Sequence, residues 1–236
     1  MNVNKYIESW EQCTQSKCNS INWCNRFRQL WARSDSLFGL LRSTDDYYRR
    51  PIKLRLPLLF YLGHLPCFAW LQFHHLNGVK KVIDELFDKL FERGVDPDVQ
   101  TGVVNHGHSS QFSVDDEIEE KYWRSFSVQS VTEYKCKVRS EIINVLMKGK
   151  LRYDDIQTLN VLNVALEHEM MHQETLMYLY IQMPIEGIRL NATKEMNLST
   201  RQVTGPLSEN RWVTVQGGQT ALGKPYNDET KAFSFG

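Results

Sequence analysis

The chain has 236 residues, with 28 Lys plus Arg set against 28 Asp plus Glu. This balance excludes the single-signed field with which a protein attracts nucleic acid or an anionic membrane surface, so neither is expected as a partner. A 42% hydrophobic content supplies a core for one large domain, or one domain plus part of another, and no apolar run reaches the roughly 18 residues of a membrane span. The five cysteines, Cys13, Cys18, Cys24, Cys67 and Cys136, are odd in number and scattered, and the first 25 residues are polar and charged, unlike a signal peptide. Free thiols and a cytoplasmic protein are expected. Cys13, Cys18 and Cys24 lack a C-x-x-C knuckle and a nearby fourth ligand, so they do not read as a zinc site.

Residues 20–41 predict a helix in which Trp23, Phe27, Leu30, Trp31, Ser34 and Leu37 or Phe38 recur at three-to-four spacing. The stretch from Ser43 through Pro51 interrupts it. Pro57 suits the first turn of a second helix carrying Leu58, Leu59, Leu62, His64 and Phe68. Pro66 removes a backbone hydrogen bond near His64 and predicts a kink there. His74 and His75 follow at the polar end, where solvated histidines are expected. Residues 79–93 predict a shorter amphipathic helix closed by Gly94.

From Asp96 to Ser113 the composition turns to Gly, Asn, His, Ser and Gln, a loop signature. His106 and His108 lie in it with no fixed mutual geometry, and stand as candidates to support a site rather than to ligate. Ser113 reads as the cap of a long helix over 114–147, and Tyr153 or Asp154 opens the next one. Four principal helices, a short connection around Gly149 and one long crossover predict a mainly α fold, an up-and-down four-helix bundle with histidines facing its interior. After Met183-Pro184, residues 185–211 read as a polar linker. Trp212–Val215 and Thr220–Gly223, either side of Gly217-Gly218, predict a short C-terminal β segment of two strands about a turn. About 25 residues are too few for a β core. The segment therefore reads as the start of a second domain, or as an extension packed on the bundle. The expected division is 1–184, 185–211 and 212–236.

The stretch with most chemical content runs from Leu166 to Leu179. At ~100° per residue, His168 and His172 share one helix face, with Val161, Val164, Ala165, Leu176 and Leu179 within a quarter-turn of them. Imidazoles on the core side need partners for both ring nitrogens, and a pair at i, i+4 can share one cation. On the residues alone two readings stand: half of a metal site, or two core histidines bonded to backbone or carboxylates. His168-Glu169-Met170-Met171-His172 also fits H-E-x-x-H, with Glu169 as the general base of a zincin. Thr175 and Tyr178, however, stand where a metzincin continuation needs Gly and His.

Three separated stretches, Arg50–Arg55 with Phe60–His64, Phe91–Asp98, and His168–Glu174, resemble the DinB-like domain of the sulfoxide synthases that make ergothioneine and ovothiol. Residues 212–236 are similar to the start of their formylglycine-generating-enzyme-like domain, and the Phe91–Asp98 run looks closest to the fungal-type ergothioneine enzymes. The resemblance covers nearly the whole chain. It implies a non-haem Fe(II) site held by His64, His168 and His172, acting on cysteine or a cysteine-containing thiol, hercynine or histidine, and O2. Three neutral nitrogen ligands leave coordination positions open for all three.

The resemblance also implies that the catalytic residues belong to the second domain, of which this chain holds only the first strands, so none is assigned here. Glu174, ~200° round the helix from His172, is expected to be a supporting carboxylate rather than a ligand. Met171 stands where bacterial relatives often carry a polar side chain. Two alternatives remain: a metal-dependent thiol transferase or hydrolase of the DinB superfamily using the same three histidines, or a metal-binding remnant without turnover.

Overall fold

The first helix, α1, spans Val3–Phe38. It begins well before residue 20 because residues 3–19 contain no Gly or Pro to stop it. The computed structural model describes residues 3–76, 78–79, 81–92, 116–148, 150–189 and 212–219. Within these, α2 spans Leu58–Phe73, α3 Glu85–Phe91, α4 Asp116–Arg124, α5 Val128–Met147 and α6 Ile156–Ile181. The expected mainly α fold is borne out.

Local chemistry sets most of the helix ends. Pro57 stands just outside α2 as its N-cap, and the helix continues through Pro66. Asp84 caps α3 by accepting from the backbone N–H groups of Leu86 and Phe87, which starts that helix later than residue 79. The single helix expected over 114–147 is two. Ser127 accepts from Ser130 N–H and caps a new helix after the turn at Ser125 and Phe126. Asp155 caps α6 through Thr158 N–H. Gly94 and Ser113, read as caps, lie outside the described residues.

The bundle's principal contacts are α1 with α5 and α6, and α2 with α5 and α6. Ser20 bonds Tyr153 while Ser34 bonds Glu169, so α1 and α6 run parallel. Asp35 pairs with Lys135 and Arg139 at one end of α1, whereas Tyr153, the partner of Ser20, reaches the Leu146 carbonyl at the other, so α5 opposes α1. Arg55 meets Tyr178, Tyr61 meets His172, and Gln157 bonds the His75 carbonyl, so α2 opposes α6. The order is therefore up, down, down, up. The expected alternation is modified at one step, because the long crossover between Phe73 and Val128 carries the chain back along α2 before α5 begins.

The core follows the helical period. Trp23, Phe27, Trp31, Ser34, Leu37 and Phe38 of α1 are buried, as are Val131, Tyr134, Val138 and Ile142 of α5. Tyr134 donates to one oxygen of the Asp88 carboxylate and Ile83 N–H to the other, so this one side chain fastens α3 to α5 and to the segment that leads into α3. Beyond α6, Ile188 forms an antiparallel bridge with Leu41. Residues 212–219 form no β-ladder, and Trp212, Val213 and Val215 are exposed. The second expected strand, over 220–223, lies outside the described residues. No helix among the described residues is long and apolar enough to cross a membrane.

Candidate metal centre

Antiparallel packing of α2 on α6 brings His64, His168 and His172 together. One ring nitrogen from each lies within 4.8 Å of the others, and no other His, Cys, Asp or Glu group of three does so among the described residues. The ring centroids of His64 lie 5.0 Å from both α6 rings, which are 4.4 Å from each other. The Nε2 atoms of His168 and His172 are 3.1 Å apart. Two nitrogens at right angles on one ion, each bonded at ~2.1 Å, stand about 3.0 Å apart. The observed pair fits that arrangement. The Nδ1 atoms of both α6 histidines are buried without a protein partner.

His64 differs in having its other nitrogen engaged. Its Nδ1 lies 2.7 Å from the Phe91 carbonyl oxygen. A carbonyl only accepts, so Nδ1 carries the hydrogen and Nε2 keeps the free lone pair. Two of the stretches singled out in the sequence thus meet here, the Phe60–His64 run supplying the imidazole and the Phe91 run the carbonyl. Gly63 permits the approach, because a Cβ there would stand 2.3 Å from the ring of Phe91. Alanine is favoured over glycine inside a helix by about 0.8–1.0 kcal/mol, but overpacking against a fully buried ring costs about 1–3 kcal/mol. Gly63→Ala is expected to lose about 1–2 kcal/mol of stability in urea unfolding; an unchanged midpoint would show that Phe91 yields freely.

Aromatic rings wall the cluster. Phe60 stacks on His64 at 4.8 Å, Phe68 stacks on His168 at 3.5 Å, and Tyr61 lies beside His172 at 5.5 Å. Burial in this apolar setting is the main reason all three imidazoles are held below their ordinary pKa, His64 to about 4 and His172 to about 3, with His168 also lowered. Their mutual proximity adds to the shift at His168 and His172. All three are neutral at pH 7, the form in which an imidazole ligates without first losing a proton.

Glu169 points elsewhere. Its carboxylate is buried against α1, accepting from Ser34 Oγ at 2.6 Å, with Arg139 at 3.8 Å. Gln173 donates to the same Ser34 hydroxyl and to the Leu30 carbonyl. The zincin reading, which needs this carboxylate facing the cluster, is thereby set aside. The latch of Ser34, Glu169 and Gln173 instead fixes how α6 is turned on α1, and with it where the two histidines point. Ser34→Ala leaves the carboxylate and the Gln173 amide short of a partner and is expected to cost about 1–3 kcal/mol in urea unfolding; a change below ~0.5 kcal/mol would deny the latch this weight.

Other expected contributors fall away from the cluster. Glu174 and Met171 are exposed, so the supporting role expected of Glu174 is not seen. His75 is exposed, while His74 is half-buried against Trp70 with its Nε2 lacking a partner. His106 and His108 lie outside the described residues, as do Arg93 to Asp98. Cys18 is exposed and Cys24 buried, both free thiols. A cavity of about 490 Å³ between Tyr48, Arg49, Trp123 and Met183 contains none of the three histidines in its lining.

Three neutral imidazoles converging in the apolar interior of a helical bundle form a donor set that could hold a first-row transition-metal ion. The chain is similar to Ergothioneine biosynthesis protein 1 of Neurospora crassa, 28% identical over 195 residues that make up 82% of this chain and 21% of that protein. It is also similar to Ergothioneine biosynthesis protein 1 of Schizosaccharomyces pombe, 27% identical over 227 residues, 94% of this chain and 27% of that protein. The expected resemblance to the fungal-type ergothioneine enzymes is borne out in these relatives, of whose length the chain spans about a fifth to a quarter. No protein-family profile matches the chain.

Proposed function

We propose that the chain is the metal-binding helical part of a non-haem Fe(II)- and O2-dependent sulfoxide synthase of ergothioneine or ovothiol biosynthesis. The reaction is formation of a C–S bond between a cysteine thiol and the imidazole ring of hercynine or histidine, with His64, His168 and His172 as the metal ligands. The observation that carries this reading is the convergence of three imidazole nitrogens within 4.8 Å, supported by the similarity to the two fungal proteins over most of the chain. The division at residues 184 and 212, with a formylglycine-generating-enzyme-like domain following, belongs to the same proposal.

Ferrous iron held there supplies open coordination positions at which a thiolate, an imidazole and dioxygen can be gathered. The rest is the work of this chain's own side chains. Phe91 holds the His64 hydrogen on Nδ1 and so keeps Nε2 turned toward the other two rings. Phe60 and Phe68 lie flat on two of the ligands, fix their ring planes and exclude water from that side. The Ser34 latch sets the rotation of α6 from the opposite face. No side chain of this chain is required as a nucleophile. Anaerobic Fe(II) titration followed by oxygen uptake with hercynine and cysteine tests the reading. Stoichiometric binding with substrate-dependent uptake and a sulfoxide product is the expected result for the whole protein. Tight binding of zinc or nickel with thiol transfer or hydrolysis, and no oxygen uptake, would replace the reading with the DinB-superfamily alternative.

A further inference from the structure

We infer that Arg55 is the anchor for an amino-acid carboxylate brought to the trihistidine centre, a role that rests on the reading of that centre as a metal site. The backbone around it is tightly folded. Arg55 N–H donates to the Ile52 carbonyl at 2.9 Å, and Arg50 donates from Nε to the Arg55 carbonyl at 3.0 Å and from Nη2 to the Lys53 carbonyl. Leu58 N–H then ties the start of α2 back to the Arg49 carbonyl. The Arg55 side chain leaves this fixed base half-buried and sets its guanidinium 5.7 Å from the centre of the Tyr178 ring.

What distinguishes Arg55 is half-burial without an anion, since Arg26, Arg33 and Arg42, which also pair with no carboxylate among the described residues, are exposed. Arg49 pairs with Asp46, Arg124 with Asp45 and Glu120, and Arg139 with Asp35 and Glu169. No hydrogen bond or ion pair is made by the Arg55 guanidinium among the described residues, which leaves its planar fork of donors unanswered in a partly dehydrated place. Its position is one layer outward from the cluster, since Tyr61 touches His172 and the antiparallel helices place Tyr178 and Arg55 at the next level. Its charge is felt at both Tyr61 and His172. A planar, aromatic-backed guanidinium with one positive charge matches a carboxylate, which it can bind with two parallel hydrogen bonds. Both the thiol and the imidazole substrates of the proposed reaction carry such a group.

The test uses the whole chain loaded with Co(II), whose visible spectrum reports ligands entering the metal's coordination sphere. Four probes separate the two sources of carboxylate: 3-(imidazol-4-yl)propionate against 4-propylimidazole, and 3-mercaptopropionate against propanethiol. One of the two acids is expected to bind at least about tenfold more tightly than its neutral counterpart, and Arg55→Gln should remove that advantage without weakening the neutral probe. Arg55→Lys should restore part of it. Whichever acid responds identifies the substrate whose carboxylate is held. If Arg55→Gln weakens acid and neutral probes equally, or neither acid, the residue is structural and the inference is overturned while the metal centre stands. If the unaltered chain binds no Co(II), or His168→Ala binds it equally well, the reading of the centre fails and this inference fails with it.

Discussion

Replacing His168 by alanine will abolish stoichiometric binding of Fe(II) or Co(II), with affinity falling by at least about a hundredfold. His168 is central to the cluster, since its Nε2 is 3.1 Å from that of His172 and its ring lies 5.0 Å from His64. Two imidazoles on separate helices cannot hold an ion as three do, because each lost ligand removes both a bond and part of the geometric restraint. Replacement of the exposed His75, or of His106, is expected to change the affinity by less than about threefold. Circular dichroism of each apo variant checks that the bundle has formed. Full binding by His168→Ala, or loss of binding with His106→Ala, would move the metal away from the three buried histidines.

Acid will destabilise the metal-free chain strongly between pH 7.5 and pH 5. The three histidines have folded pKa values below their unfolded value of 6.5, His64 at about 4 and His172 at about 3, with His168 shifted the same way. In the window between folded and unfolded values the unfolded chain binds more protons, so stability is full above the unfolded value and falls as the pH drops. Each such histidine contributes on the order of 2 kcal/mol over this interval, a large share of the roughly 5–15 kcal/mol that holds a domain. Glu169 works in the opposite direction, since burial raises its pKa and protonation relieves that cost. Urea unfolding at the two pH values should show the loss, and His172→Gln should lose less on acidification than the unaltered chain. A flat profile would mean the imidazoles are open to water. Bound metal, by competing with protons for the same nitrogens, should move the loss to lower pH.

The parts of this molecule that sequence discloses are those written in side-chain periodicity. His168 and His172 were legible as a pair because spacing of four on a helix forces them onto one face, and the stripe from Trp23 to Phe38 reads as a core face for the same reason. His64 was a different case. An apolar run around one histidine leaves the question of its partner open, and only the family resemblance tied it to the other two. The Phe91 contact with His64 was not legible at all, because a backbone carbonyl carries no residue signature. Gly63 offered a hint, being a glycine between large apolar neighbours in a helix, where propensity argues against it. The break at Ser127 was hidden because apolar residues continue at helical spacing on both sides. Glu169 shows the opposite failure, as its motif suggested a catalytic base while a hydroxyl on a helix distant in the chain, Ser34 of α1, decided where it points.

The up, down, down, up order also governs when the cluster can come into being. His64 and His168 are about a hundred residues apart in the chain, and α6 is the last of the long helices among the described residues. A ribosome adding about 5–20 residues per second completes α2 some 5–20 seconds before the second and third imidazoles exist. The nascent bundle therefore has no complete set of ligands to offer a metal until α6 has left the tunnel and docked between α1 and α2. On the proposed reading, loading follows that docking, and a metal added during refolding is expected to report the long-range closure rather than the early collapse.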